Sequence, residues 1–292
     1  MVTTEQASDQ LDPHQLRCME IFGGNGVVHD AVSTPGFDVF LFGEPFEGGE
    51  GGGDVHYLSM CAAGRVTRFA LADISGHGIT VDESAKRLRK VVRKHINTAN
   101  QAGLVRALNE EVLASEAGNR FATAVVATYY APARALVLTI AGHPCPLWYR
   151  AAHQRWVLLG PATEGVELSG SIAGERNFPL GVIDGTEFSQ MRVPLGRGDL
   201  VILYTDALIE AQLPDGQILG EEGLVEVASG VDVGDLPTLG DRLLTAVRER
   251  SGRVDMGDDV TVLTLHHSAA APASQSVGDR IATLGRALGL GG

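Results

Sequence analysis

Apolar residues along this chain fall into short runs, many of them β-branched and separated by glycine, proline and acidic turns. Residues 37–42 (FDVFLF), 55–61, 65–72 (RVTRFALA), 121–130 (FATAVVATYY), 135–140 (ALVLTI) and 200–204 (LVILY) have the content of strands. Residues 146–150 and 155–159 form a further hairpin, and 187–193 and 260–266 two more strands. An Ala-Ala-Gly turn joins 55–61 to 65–72, so that hairpin can bring Asp54 and Asp73 close together. The period lengthens to that of a helix at four places: 81–100, 104–114, 221–228 and 236–250. In the first of these, Leu88, Val91, Val92, His95 and Ile96 make an apolar stripe. Lys86, Arg87, Arg89, Lys90, Arg93 and Lys94 read most simply as its solvated face.

The ends are different. Residues 1–36 read as a tail and a short lead-in, with 14–21 a short helix or an edge segment. Residues 37–267 carry the alternating strands and helices of one domain. Residues 268–292 read as a linker rich in Ser, Ala and Pro, followed by a short amphipathic segment at 279–290. A chain of 292 residues that is 44% hydrophobic can bury a substantial core. Its net charge of −13 opposes a nucleic-acid surface but not cation binding. Cys18, Cys61 and Cys145 form no CxxC pair, which fits a reducing, cytoplasmic setting. The longest apolar stretch is broken by Pro132 and Arg134, so no membrane span is expected.

Four of the strand ends present an aspartate: Asp54 after Gly52-Gly53, Asp73, Asp206 after Thr205, and Asp258 with Asp259 beside it. Hard divalent cations prefer such oxygen ligands. Carboxylates bridging two ions could activate a water and neutralise phosphate oxygens. Without cations, several buried carboxylates would repel one another, and some would stay protonated. A single such aspartate is more often a turn or cap residue, and the linear sequence does not show convergence. The run after Glu47 is not a P-loop, because no Lys-Ser/Thr follows its glycines. A G-x-S-x-G elbow and an HExxH helix are also absent from the sequence.

One ordered set of motifs is more specific. It runs Gly52-Gly53-Asp54, then Ala72-Asp73-Ile74-Ser75-Gly76-His77-Gly78, Ala141-Gly142-His143-Pro144, Gly198-Asp199-Leu200 with Tyr204-Thr205-Asp206, and Asp258-Asp259-Val260-Thr261. Phe121-Ala122-Thr123 and Pro179-Leu180-Gly181 fit between them. Over roughly residues 52–266 this resembles the SpoIIE/RsbU-type branch of the PPM family of metal-dependent serine/threonine protein phosphatases. The resemblance implies an α+β fold, a four-layer α-β-β-α sandwich of two antiparallel sheets flanked by helices, and makes 37–267 the phosphatase domain. It implies two ions, Mn²⁺ or Mg²⁺, with the attacking water bound between them. Asp54 and Asp73 would lie closest to that water, Ile74 would offer its backbone carbonyl, and Asp206 and Asp258 would complete the ligands. Asp259 would stand behind them. His77 would either protonate the leaving serine oxygen or serve as a turn histidine. His143 would hold its own loop.

The implied substrate is phosphoserine or phosphothreonine on a regulatory protein, an anti-sigma-factor antagonist being one such partner. About fifty residues precede Gly52, too few for the family's frequent sensory domain, so regulation is expected to come from elsewhere. Two departures stand out: Ala207 follows Asp206, and Ala72 precedes Asp73, where the family usually has glycine. If the turn at Ala207 needs φ > 0, that alanine would be strained. These departures leave a second reading open, a catalytically weak or inactive module with the same fold that binds a regulatory partner.

Overall fold

A computed structural model describes residues 12–46, 52–61, 64–74, 79–97, 100–114, 121–170 and 178–269. His77, the segment 279–290 and most of the glycine run after Glu47 lie outside the described residues. Four strands come before the first helices' sheet partners: β1 (His14–Gln15), β2 (Glu20–Gly24), β3 (Val28–Thr34) and β4 (Phe37–Glu44). The hairpin β5 (Asp54–Cys61) and β6 (Val66–Ile74) follows, then α1 (Ile79–Lys94) and α2 (Gln101–Leu113). Next come β7 (Ala122–Tyr130), β8 (Ala135–Ala141), β9 (Leu147–Arg150), β10 (Arg155–Leu158), β11 (Glu167–Ser169), β12 (Gln190–Val193) and β13 (Leu200–Tyr204). The chain then runs through α3 (Ala207–Glu210), α4 (Gly220–Ser229), α5 (Leu239–Ser251) and β14 (Val260–His267).

The strands form two seven-stranded sheets, ordered β1-β3-β4-β14-β13-β9-β10 and β11-β12-β8-β7-β6-β5-β2. All named pairings are antiparallel except β1 with β3. Alternation along each strand explains the layers. Val39, Leu41, Val201, Leu203, Leu263 and Leu265 of the first sheet pack against Leu58, Phe69, Leu71, Val125 and Leu138 of the second. The opposite face of the second sheet, with Val55, Tyr57, Ala124 and Val126, is covered by Leu88, Val92, Leu104 and Leu108 of α1 and α2. The opposite face of the first sheet, with Ile202, Tyr204 and Val262, is covered by Leu224, Leu243 and Val247 of α4 and α5. The expected α-β-β-α sandwich is therefore present. None of the described helices is long and apolar enough to cross a membrane.

Two expectations need correction. Residues 20–34, read as lead-in, form two strands: β2 pairs with β5, and β3 pairs with β4 over seven residues. The first helix ends at Lys94, not near residue 100. Arg68 of β6 satisfies the carbonyls just past that end, its Nη1 donating to those of His95 (2.8 Å) and Ile96 (3.3 Å).

Candidate metal centre

The hairpin places the first two carboxylates. In the β5–β6 register Asp54 lies directly opposite Asp73, and Asp73 in turn lies opposite Thr123 of β7. Both aspartates sit at the same end of the second sheet. At the adjoining end of the first sheet, β13 runs out into Thr205 and Asp206, and Asp258 and Asp259 lead into β14. Hydrogen bonds tie the two ends together. The Thr205 hydroxyl donates to Asp54 Oδ2 (2.9 Å) and accepts the Thr261 amide (2.9 Å). The amide of Gly53 donates to Asp259 Oδ2, and that of Phe46 to Asp259 Oδ1 (2.7 Å).

The glycines make this junction possible. A Cβ on Gly52 would overlap the Asp259 carboxylate. One on Gly53 would crowd Asp73 Oδ1 at 3.1 Å and the Ile74 carbonyl oxygen at 3.2 Å. Asp259 thus supports the loop that carries Asp54, and the Ile74 carbonyl faces the same small space as Asp73.

Electrostatics links these carboxylates to one another. Asp54 is buried, and desolvation pushes its pKa well above the usual carboxylate range. Hydrogen bonds from Thr261 and Thr205 offset part of that rise, while the charges of Asp73 and Asp259 add to it. Asp73 is raised to about 7, first by burial and then by the charges of Asp206, Asp258, Asp259 and Glu210. Asp206 is raised by burial, then by Glu210 and Asp258. The four strand-end aspartates share one acidic mouth, which grades from buried Asp54 to exposed Asp258. Among the described residues, no three His, Cys, Asp or Glu side chains close on a single point.

This donor set fits hard divalent cations. It consists of oxygens only, it lacks positive charge, and a small ion such as Mg²⁺ is commonly held by one or two carboxylates with waters filling the other positions. A backbone carbonyl lies within the same space. The residues present therefore suit Mg²⁺ or Mn²⁺ better than zinc, which takes nitrogen and sulfur ligands.

Neither departure from the family pattern obstructs the mouth. Ala207 begins α3 with Asp206 at φ −64° and ψ −22°, and it is not among the positive-φ residues, so the conditional strain does not arise. Ala72 points to the helix-covered face with Ala85 and Leu88, away from Asp73. His143 is buried, and its Nδ1 meets the Thr123 hydroxyl at 2.9 Å. Burial lowers its pKa to about 4; the nearby Tyr204 carbonyl pulls the other way but makes no well-formed bond to Nε2. The histidine is neutral and holds its loop, as expected.

Two residues escaped the sequence reading. Thr205 is fully buried and joins Asp54 to the backbone of Thr261, a role set by a partner 56 positions away. Glu210 lies four residues after Asp206, a helical spacing that could have drawn notice, and adds its charge to the mouth. Asp199, of the Gly198-Asp199 motif, has no place there. Its carboxylate accepts Trp148 Nε1 (3.0 Å) and the amides of Ala151 (2.9 Å) and Gly196 (2.9 Å).

Residues 63–268 match the family model for Stage II sporulation protein E (SpoIIE). A comparison with curated proteins finds no match. Several solved structures are similar. The RsbU and RsbW domains of a Mycobacterium tuberculosis protein align at 24% identity and a TM-score of 0.62, over 82% of this chain and 63% of that one. The PP2C phosphatase domain of Bacillus subtilis SpoIIE, with a fragment of its regulatory domain, aligns at 18% and 0.59, over 86% of this chain and 64% of that one. RsbX in complex with magnesium aligns at 14% and 0.55, over 81% and 98%. The chain thus spans less than two thirds of the first two proteins, and at these identities the likeness is one of fold.

Proposed function

The chain belongs to the SpoIIE family of serine/threonine phosphatases, and from that premise we propose that it hydrolyses phosphoserine or phosphothreonine on a regulatory protein with the help of two divalent cations, Mn²⁺ or Mg²⁺. The observation that carries this reading is that Asp73 feels the charges of Asp206 and Asp258 across the joined ends of the two sheets, with Asp54 directly opposite it on β5. In this reading Asp54, Asp73, Asp206 and Asp258 hold the ions, together with the Ile74 carbonyl. Bound there, the cations would supply an acidified water and charge neutralisation at the phosphate.

The chain's own groups do the positioning. Thr205 orients the Asp54 carboxylate, and Asp259 fixes the loop through the amides of Gly53 and Phe46. His77, three residues after Ile74 in the sequence, is assigned the proton for the leaving serine oxygen. An acidic mouth at the end of a sandwich suits a residue presented on another protein, and a phosphorylated anti-sigma-factor antagonist in the cytoplasm is the partner we favour. The non-catalytic reading drew in part on Ala72 and Ala207, and both leave the carboxylates clear.

The test is phosphate release from a phosphoserine peptide with added Mn²⁺. Asp73→Asn is expected to lower it on the order of a thousandfold, the loss of several kcal/mol of charge stabilisation. The same variant should raise the melting temperature of the chelator-treated protein, because one of the mutually repelling charges is gone. Release that persists without any divalent ion would overturn the reading.

A further inference from the structure

On the helix-covered face of the second sheet, well away from the acidic mouth, two reduced cysteines meet. Cys18 bridges to Met60, the residue before Cys61, and the Sγ atoms of Cys18 and Cys61 lie 3.2 Å apart. Both side chains are buried, at 5% and 1% exposure. The Cys61 thiol also contacts Met19 Sδ at 3.2 Å and the side-chain oxygen of Asn97. A second, independent feature points at the same sulfur. The guanidinium of Arg68, 2% exposed, lies within electrostatic reach of Cys61. Its Nη1 is spent on carbonyls past α1, while Nε and Nη2 have no partner. In the resting fold the Cys61 thiol donates to Asn97, and a buried cation with unspent donors offsets part of the cost of forming the thiolate there.

We propose that Cys18 and Cys61 are a redox-modified pair that closes to an intramolecular disulfide on exposure to a hydroperoxide. The Cys61 thiolate attacks the O–O bond. The distal oxygen becomes Cys61 sulfenic acid, and the remaining alkoxide or hydroxide takes up a proton and leaves as alcohol or water. The Cys18 thiol then attacks the sulfenic sulfur; the S–S bond forms, the S–O bond breaks, and water leaves with the thiol proton. Two electrons pass from the two sulfurs to the peroxide.

Access comes from the sheet edge. Cys18 and Met19 immediately precede β2, the edge strand of the second sheet, and Met19 has φ +68°, an uncommon and strained conformation for a residue with a side chain. Such an edge opens locally more readily than the core. Closing the bond would tie the chain before β2 to the end of β5 and replace the Cys61–Asn97 contact beside the end of α1. It would also constrain a loop between positions 43 apart.

The experiment treats the full chain with hydrogen peroxide, alkylates it under denaturing conditions and maps the peptides by non-reducing mass spectrometry. The expected product is one Cys18–Cys61 linked pair, two hydrogens lighter, reversed by dithiothreitol, with Cys145 alkylated. The oxidised chain should melt roughly 5–10 °C higher. In Cys18→Ser, Cys61 should accumulate as a sulfenic acid trapped by dimedone. Arg68→Gln should slow the reaction roughly tenfold, the effect of one pKa unit on thiolate content; if that variant does not fold, the wild-type map decides. Cys18 and Cys61 that both stay alkylatable at peroxide doses oxidising methionine would overturn the proposal. So would a bond that joins two chains.

Discussion

Thr205 shows how much one hydroxyl can carry. It satisfies the Thr261 amide and orients Asp54 from a fully buried position. Thr205→Val keeps the shape and removes both bonds. It is expected to cost about 1–3 kcal/mol in urea denaturation and to weaken Mn²⁺ binding roughly 10–100-fold by calorimetric titration. His143 sets a pH dependence of definite sign. Its folded pKa of about 4 lies below the ordinary 6.5, so between these values the unfolded chain binds more protons. Its contribution is intact above about pH 6.5 and is lost as pH falls toward 4, by up to about 3 kcal/mol. The raised Asp73 pulls the profile the other way, so the test is a difference: from pH 7 to pH 4.5 the wild type should lose about 3 kcal/mol more than His143→Gln. The same pH response in both proteins would refute the assignment. The strand-end aspartates were legible from sequence because each interrupts an apolar run. Thr205 was not, since a threonine beside an aspartate looks like any turn residue until its cross-strand partner is known.

At the scale of elements, strands with unbroken β-branched runs, such as β7 and β13, were legible to within a residue or two. β2 and β3 were not. Gly23, Gly24 and Gly26 interrupt the first of these stretches, and His29 and Asp30 put two exposed polar residues together in the second, so neither shows clean alternation. Their strand character comes from partners: β3 is held along β4 and β2 along β5. Asp199 acts at the same scale, clamping the loop before β13 to the end of β9. Asp199→Ala would leave the Trp148 indole N–H and two amides without their acceptor. We expect a loss of about 2–4 kcal/mol in a denaturant melt, with kcat per folded molecule unchanged. A large fall in kcat would give this carboxylate a role in the chemistry.

For the molecule as a whole, folding brings like charges together at one end and leaves them raised in pKa by burial and mutual repulsion. A cation that binds only the folded chain stabilises it by mass action. Chelator is expected to lower the melting temperature, and Mn²⁺ to restore it in a concentration-dependent way, read by scanning calorimetry. No change with either addition would argue against an ion at these aspartates. The convergence itself could not be read from the sequence, because residues 54 and 259 meet only after both sheets are built.

The order of the first sheet has a consequence for how the chain is made. Its last strand, β14, does not sit at an edge; it lies between β4 and β13 and pairs with β4 along eight residues. A ribosome must therefore deliver residue 267 before residues 37–44 find their neighbour. Until then β4 can pair with β3 alone, and its other side remains open to strands of other nascent chains. Contacts so distant in sequence favour slow folding. Early termination anywhere before β14 should give an insoluble product rather than a smaller folded one.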